Sequence, residues 1–248
     1  MKEFDTFFAE METANQDKLR SGLQVRFEIM NKDKQAAPEI LKEMQEKKES
    51  FQKIWDTHGK LINEELAKTF SREMPNKECI GRISTDPGSP RFLSDSSFNL
   101  PYTKTPDEAL ATSIHEIIHF LWFEKWKDVY PNCEPEKDFE HPSFSWLLSE
   151  ISVDPIIKSS ESLAKLAKDK PAYPHFYTSE FCGATPIESF TELYSANSLN
   201  DYMTKGLEHL KNNQEQAEAL VPVFNSQHAI IDRKAIQQKQ GGGKDGTE

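Results

Sequence analysis

Apolar residues recur at helical spacing along the first part of the chain. Phe4, Phe7, Phe8 and Met11 fall at this spacing, and the pattern continues from Ile40 to Phe70 in a background rich in lysine and glutamate. This spacing predicts two or three amphipathic helices within residues 3–70. Pro38 and Gly59 are the expected breaks between them.

The pattern changes after residue 70 and becomes helical again later. Prolines interrupt short apolar stretches in residues 71–105, where segments 79–83 and 97–100 have the composition of strands. Helical spacing returns over residues 106–215. We therefore expect a mostly helical α+β fold, with a small sheet ahead of the second helical region.

The same pattern suggests a division of the chain into three parts. Residues 1–70 form an N-terminal helical region, and residues 71–220 form the main domain. Residues 221–248 are a C-terminal segment. From about residue 237 this segment contains three consecutive glycines and no apolar side chain, so we expect a disordered tail.

Composition and charge narrow the range of partners and compartments. The 248 residues include 30 basic and 41 acidic side chains, a formal charge of −11. This argues against nucleic acid and anionic membrane surfaces as partners. No apolar run approaches the roughly 18–20 residues of a membrane span. The first residues contain acids and lack the apolar segment of a secretory signal peptide. We expect a cytoplasmic protein whose cysteines, Cys79, Cys133 and Cys182, are reduced thiols.

The strongest helix signal begins at Thr105. Thr105 and Glu108 form a capping box, and Pro106 suits the first helical position. The apolar positions that follow predict a buried stripe, formed by Leu110, Ile114, Ile117, Ile118 and Leu121.

This helix carries the motif HExxH at residues 115–119. His115 and His119 are four positions apart, so both imidazoles lie on one face and can reach a single zinc ion. Glu116 lies beside that face, where its carboxylate can accept a proton from a zinc-bound water. Trp122 and Lys125 occupy positions where metzincins need glycine and histidine, which excludes that class.

A catalytic zinc site needs a third protein ligand, and residues 146–154 offer one candidate. This segment has the spacing of a buried helix, with Glu150 and Asp154 on the same face. Buried acids need partners. The Glu-x-x-x-Asp arrangement resembles the third-ligand helix of gluzincins, the thermolysin-like HExxH peptidases. The resemblance implies that Glu150 binds zinc and that Asp154 accepts the N–H of His115.

A second candidate lies further along the chain. Glu188 and Glu192 resemble the E-x-F-x-E segment of the anthrax lethal factor and Pro-Pro endopeptidase group, in which the first glutamate binds zinc. Phe181 stands where that group has a catalytic tyrosine, and Tyr177 is one helical turn away. We favour Glu150, because its helix is the more apolar and its acids are harder to explain without a metal. The helix of Glu188 and Glu192 also fits a solvated face.

A longer resemblance covers about residues 50–215. Segments 115–126 (HEIIHFLWFEKW) and 146–157 (WLLSEISVDPII) are similar to an uncharacterised bacterial family of predicted zinc peptidases. The resemblance implies a zincin-like fold, with a small sheet before the HExxH helix and a cleft between them. A strand at 78–84 or 91–100 would then pair with an extended peptide.

These observations predict a zinc metallopeptidase that acts on a peptide or protein, with Glu116 as general base. His175 and Tyr177 are candidate oxyanion donors, by resemblance to the histidine and tyrosine of thermolysin-like enzymes, and the oxyanion stabiliser stays open. A zinc-stabilised binding or regulatory domain without turnover is the alternative, and a helical interaction protein without metal is the third. The substrate, the oligomeric state and the role of the N-terminal helices stay open.

Overall fold

The computed structural model describes residues 22–167 and 171–221, which form a mostly helical α+β structure around one four-stranded sheet. The strands are β1 (Gln24–Ile29), β2 (Glu78–Ser84), β3 (Arg91–Phe92) and β4 (Ser97–Pro101). The α-helices are α1 (Pro38–Phe70), α2 (Pro106–Val129), α3 (Pro135–Asp138), α4 (Phe144–Lys158), α5 (Glu161–Leu166), α6 (Pro186–Ser195), α7 (Leu199–Asn212) and α8 (Gln214–Leu220). Two 3₁₀-helices cover Asn31–Gln35 and Pro174–Tyr177. The predicted fold class, mostly helical α+β with the sheet ahead of the HExxH helix, is confirmed at this level.

The sheet has the strand order β1-β2-β4-β3. Strands β1, β2 and β4 are parallel, and β3 is antiparallel to β4. Gly81 lies in β2 opposite Phe27 of β1 and Phe98 of β4. A Cβ at Gly81 would stand 2.5 Å from the Phe27 ring, so glycine lets this ring cover the strand. Both predicted strands, 79–83 and 97–100, are present with slightly longer bounds.

Strand β1 corrects the prediction that residues 3–70 are helical throughout. Leu23, Val25 and Phe27 are buried and alternate with more exposed neighbours, which is the period of a strand facing a core. The run is too short to stand out beside the long helical pattern that follows. The predicted helix nearest the N-terminus, from Phe4 onwards, lies outside the described residues up to position 21.

Helix α1 runs for 33 residues without the break predicted at Gly59. Pro38 starts this helix, because proline lacks only an N–H that the first turn leaves unpaired. Gly59 lies against the indole of Trp55, one turn earlier, and a Cβ there would approach the ring to 2.8 Å. Gly59 is therefore a packing position for a buried tryptophan and does not end the helix.

Side chains of α1 cover the outer edge of β1. The backbone N–H of Phe27 donates to Gln52 Oε1 at 3.2 Å, and Gln52 Nε2 donates to the Val25 carbonyl at 3.0 Å. Asn63 Nδ2 donates to the Leu23 carbonyl at 2.8 Å. Strand β1 also joins the N-terminal part of the chain to the sheet that precedes α2.

Helix α2 contacts α1, β4 and α4, and its predicted apolar stripe is buried. Its predicted capping box is present. The Glu108 N–H donates to Thr105 Oγ1 at 3.3 Å, and the Thr105 N–H donates to Glu108 Oε2 at 2.9 Å. The helix that carries HExxH therefore starts at a fixed residue and is held on several sides.

Within the described ranges, every helix is too short or too polar to cross a membrane. The disordered tail expected from about residue 237 lies outside those ranges.

Candidate metal centre

Three side chains from two helices meet at one point. His115 and His119 of α2 direct Nε2 atoms that are 2.9 Å apart toward Glu150 of α4. Glu150 Oε2 lies 3.2 Å from His119 Nε2 and 3.5 Å from His115 Nε2. In the described part of the chain, this is the one group of three or more histidine, cysteine or acidic side chains close enough to share an ion.

The separations of these three atoms suit a small divalent cation. Ligand atoms at 2.0–2.1 Å in a tetrahedral shell stand about 3.3 Å from one another. The two contacts of Glu150 Oε2 lie close to that spacing, and the two imidazoles are slightly closer. Two histidines and one carboxylate are also a ligand set typical of catalytic zinc, with a fourth position left for water or substrate.

Helix α4 brings Glu150 to this point because the helix is buried almost throughout. Every residue from Ser145 to Ile157 is buried, and Glu150 is only 2% exposed. Ser143 caps the helix through its Oγ, which accepts the Trp146 N–H at 3.1 Å. The prediction of a buried helix carrying acids is confirmed.

Arg91 of β3 holds the other oxygen of Glu150. Its Nη1 donates to Glu150 Oε1 at 3.0 Å, and its Nη2 donates to the Phe139 carbonyl at 3.1 Å. The guanidinium lies over the Phe123 ring, 5.1 Å from the centroid. Because Oε1 is held in this way, Oε2 is the oxygen that faces the histidines. The sequence analysis missed Arg91, since no periodicity relates a two-residue strand to a distant helix.

Burial and mutual contacts shift the ionisation of the three converging groups. Burial lowers the pKa of His119 to about 3. Burial alone would raise the pKa of Glu150, but the nearby His119 and His115 hold it well below its usual value. Burial also disfavours charged His115, yet its hydrogen bond to Glu150 outweighs this and raises its pKa. Glu150 is thus an anionic carboxylate facing a neutral His119, while a cation that binds here would displace a proton from His115.

Glu116 lies beside these ligands and is 5% exposed. Burial raises the pKa of Glu116 to about 7, and the charge of Glu150 adds to this, while His115 and Arg91 oppose it. A carboxylate with a pKa near neutrality can both accept and return a proton at physiological pH.

A cleft of about 330 Å³ opens over His115 and Glu116. One wall comes from the first half of α2 and the other from residues 171–174. Its remaining lining residues are Ser89, Lys104, Glu108, Ala111, Thr112, Pro171, Ala172, Tyr173 and Pro174. Burial raises the pKa of the Tyr173 phenol, and the nearby charges of Glu150 and Glu116 add to this.

Two strands were expected to pair with substrate, and the structure excludes one of them. Strand β2 (residues 78–84) is paired with β1 on one side and β4 on the other, so it has no edge to offer. Strand β3 is the outer strand of the sheet, and Ser89, just before it, lines the cleft.

The predicted contact between Asp154 and His115 is wrong. Asp154 Oδ1 accepts a hydrogen bond from the Tyr177 hydroxyl at 2.6 Å, and Oδ2 lies 3.0 Å from Lys158 Nζ. His115 Nδ1 instead faces the Pro171 carbonyl at 3.1 Å. Helical spacing correctly predicted that Asp154 shares a face with Glu150. It could not predict the partner of Asp154, because Tyr177 lies in a distant segment outside this helix.

Glu188, the competing third ligand, has a different role. Its carboxylate accepts the Thr185 N–H at 2.9 Å, and its own N–H donates to Thr185 Oγ1 at 3.2 Å, so it completes a capping box on α6. Hydrogen bonds from the Thr185 backbone and side chain lower the pKa of Glu188. Both Glu188 and Glu192 are exposed, as the interpretation of this helix as a solvated face predicts.

The two candidate oxyanion donors, His175 and Tyr177, form other hydrogen bonds. His175 Nε2 lies 2.9 Å from the Leu220 carbonyl, and Tyr177 donates to Asp154. Phe181 is fully buried against Phe190. Tyr173, which the sequence analysis did not single out, is the tyrosine that lines the cleft.

In comparisons with known proteins, no family model, curated protein or solved structure matches the chain.

Proposed function

We propose that this chain is a zinc-dependent peptidase with a zincin-like arrangement of sheet, HExxH helix and cleft. The observation that supports this most is the convergence of His115, His119 and Glu150 beside buried Glu116, next to a cleft that His115 and Glu116 line. His115 Nε2, His119 Nε2 and Glu150 Oε2 would hold the ion. The cytoplasmic location and peptide or protein substrate expected from the sequence are part of this proposal.

Zinc bound there would supply a Lewis acid that polarises a carbonyl and lowers the pKa of water toward about 7. Glu116 accepts one proton from the attacking water at its carboxylate. It then delivers that proton to the amine nitrogen that leaves as the peptide bond breaks. Its pKa of about 7 suits both directions of transfer.

Tyr173 is the best-placed donor for the developing oxyanion in this proposal. It lines the cleft with His115 and Glu116, and its raised pKa keeps the hydroxyl protonated. An extended peptide would pair with the backbone near Ser89 and β3, on the side of the sheet next to the cleft.

A Glu116→Gln variant tests the proposed mechanism. Loss of the general base should lower turnover by about 10²–10⁴-fold, while the three ligands still bind one zinc per chain. Peptide cleavage is followed by mass spectrometry on a mixture of unstructured peptides, and zinc by metal analysis. Glu124→Gln is the matched control, because Glu124 is exposed on the same helix and pairs only with Lys127 among the described residues.

Full activity in Glu116→Gln would overturn the proposed mechanism. A wild-type protein that binds zinc but cleaves none of the peptides would favour the zinc-stabilised binding domain. A protein without zinc after reconstitution would favour the metal-free interaction protein.

A further inference from the structure

A chain of hydrogen bonds connects Asp154 to His115, although the two side chains do not touch. The Tyr177 hydroxyl donates to Asp154 Oδ1 at 2.6 Å and accepts the Ala172 N–H at 3.2 Å. The Pro171 carbonyl faces His115 Nδ1 at 3.1 Å. The Pro171 carbonyl and the Ala172 N–H belong to one peptide group, so this group is held at both ends.

We propose that Tyr177 is a positioning residue that fixes His115 through this peptide group. A carbonyl facing Nδ1 favours the tautomer protonated at Nδ1, which leaves Nε2 with a lone pair for a metal ion. The inference rests on the proposed function, because it gives His115 the role of a metal ligand.

The direction of the hydrogen bonds supports this assignment. Asp154 is fully buried and its Oδ2 lies 3.0 Å from Lys158 Nζ, so its carboxylate is held in place. A hydroxyl that donates to an anion becomes a stronger acceptor, here for the Ala172 N–H. That bond in turn polarises the peptide group and makes the Pro171 carbonyl a stronger acceptor for His115. Asp154 thus reaches the histidine through Tyr177 and one peptide group.

The same chain of hydrogen bonds positions one wall of the cleft. Pro171, Ala172 and Tyr173 are consecutive, and all three line the cleft beside His115 and Glu116. The bonds that orient His115 therefore also place Tyr173. Tyr177 would affect both the ion and the substrate side of the site without touching either.

A Tyr177→Phe variant tests the inference in the full chain. Removing the hydroxyl leaves the Ala172 N–H and Asp154 Oδ1 without this shared partner. We expect zinc affinity to fall by about tenfold, the lower end of the range for residues that orient a ligand. We also expect faster solvent exchange of the His115 Nδ1–H in the metal-free protein, measured by ¹⁵N NMR of the imidazoles.

Tyr202→Phe is the matched control. The Tyr202 hydroxyl is buried and lies 2.8 Å from Ser152 Oγ, on the helix that also carries Asp154. The control therefore removes a buried phenol hydroxyl but leaves the hydrogen bonds between Asp154 and His115 in place. Zinc affinity and Nδ1–H exchange should stay at wild-type values in this control. A purely structural role for Tyr177 would make the two variants behave alike.

Should Tyr177→Phe fail to fold, Asp154→Asn gives the second test, because it removes the charge and keeps an acceptor. It should shift both measurements in the same direction by a smaller amount. Wild-type Nδ1–H exchange in the variant that folds would overturn the inference. If the wild-type protein binds no zinc, the proposed function fails, and the exchange measurement on metal-free protein still decides whether Tyr177 orients His115.

Discussion

At the scale of single residues, the candidate site depends on one buried ion pair. The side chain of Arg91 is 11% exposed and that of Glu150 is 3% exposed. The pair joins β3 to α4 and also selects which carboxylate oxygen faces the histidines. Removing one member of such a pair leaves an uncompensated charge in the interior, which costs more than the pair itself contributes.

Arg91→Met should therefore destabilise the metal-free protein by about 3–5 kcal/mol, because Glu150 loses its cation. Chemical denaturation measures the change. Arg82→Met is the control: Arg82 is on β2 of the same sheet, its side chain is 23% exposed and it pairs with the more exposed Asp95, so a loss of at most about 1 kcal/mol is expected. Equal losses in the two variants would contradict the role given to Arg91.

Tyr173→Phe should lower kcat while zinc content stays at the wild-type value. The phenol is proposed to donate to the developing oxyanion, and loss of one such donor costs about 10²–10³-fold. Steady-state kinetics on a peptide cleaved by the wild type measures the effect. A change confined to KM would instead assign Tyr173 to substrate binding in the ground state.

The sequence predicted those site residues whose positions follow from helical spacing. His115, His119 and Glu150 were predicted because spacing within a helix fixes which side chains share a face, and both helices are strongly apolar. Arg91 lies in a two-residue strand and Tyr173 in a loop, where spacing carries no such information. Asp154 was placed on the right face of α4 but given the wrong partner.

At the scale of elements, the position of α4 depends on close packing against its neighbours. Gly206 of α7 lies against Leu148 of α4, where a Cβ would approach Leu148 Cδ1 to 2.9 Å. The two helices can lie this close because residue 206 has no side chain. Glu150 is two residues along α4 from Leu148, so this contact supports the helix that carries the third candidate ligand.

Gly206→Ala should destabilise the protein by about 1–3 kcal/mol, because overpacking at α4 outweighs the better helix propensity of alanine. Thermal or chemical unfolding checks this. Glu208→Ala, at an exposed position of the same helix, should change stability by no more than about 0.5 kcal/mol. A stabilised Gly206→Ala protein would show that α7 can move away from α4 at no cost.

Elements were predicted well where one period persists and poorly where it changes. The strands before α2 and the capped start of α2 were anticipated. Strand β1 was missed because its six residues precede a helix of 33 residues with a much stronger signal. The break at Gly59 was predicted because glycine often interrupts helices. The structure shows instead that glycine at this position leaves room for the Trp55 ring.

At the scale of the whole molecule, occupancy of the site should determine a large part of the stability. A ligand that binds only the folded state, present at about 1,000 times its Kd, adds about 4.1 kcal/mol to the free energy of unfolding. Zinc should therefore raise the unfolding temperature and a chelator should reverse the gain. His119→Ala should abolish the response, and an unchanged response in that variant would place the metal elsewhere.

The metal-free protein should also show a pH-dependent contribution from Glu116. The folded-state pKa of about 7 lies above the usual 4.5, so the folded state binds this proton more tightly than the unfolded state. This contribution is fully present below pH 4.5 and is lost as the pH rises through 7. The stability of wild type relative to Glu116→Gln should fall over that range. Denaturation at several pH values measures it, and a difference that rises with pH would contradict the shift.

The two outer strands of the sheet, β1 and β3, also differ in the hydrogen bonds at their outer edges. The carboxamide of Gln52 supplies both an acceptor and a donor to β1, so it occupies the backbone positions that another strand would use. Exposed strand edges are templates for aggregation between chains. A glutamine within a helix thus protects this edge against intermolecular sheet growth. Among the described residues, β3 pairs only with β4, so this protection does not extend to the opposite edge, where Ser89 just before β3 lines the cleft.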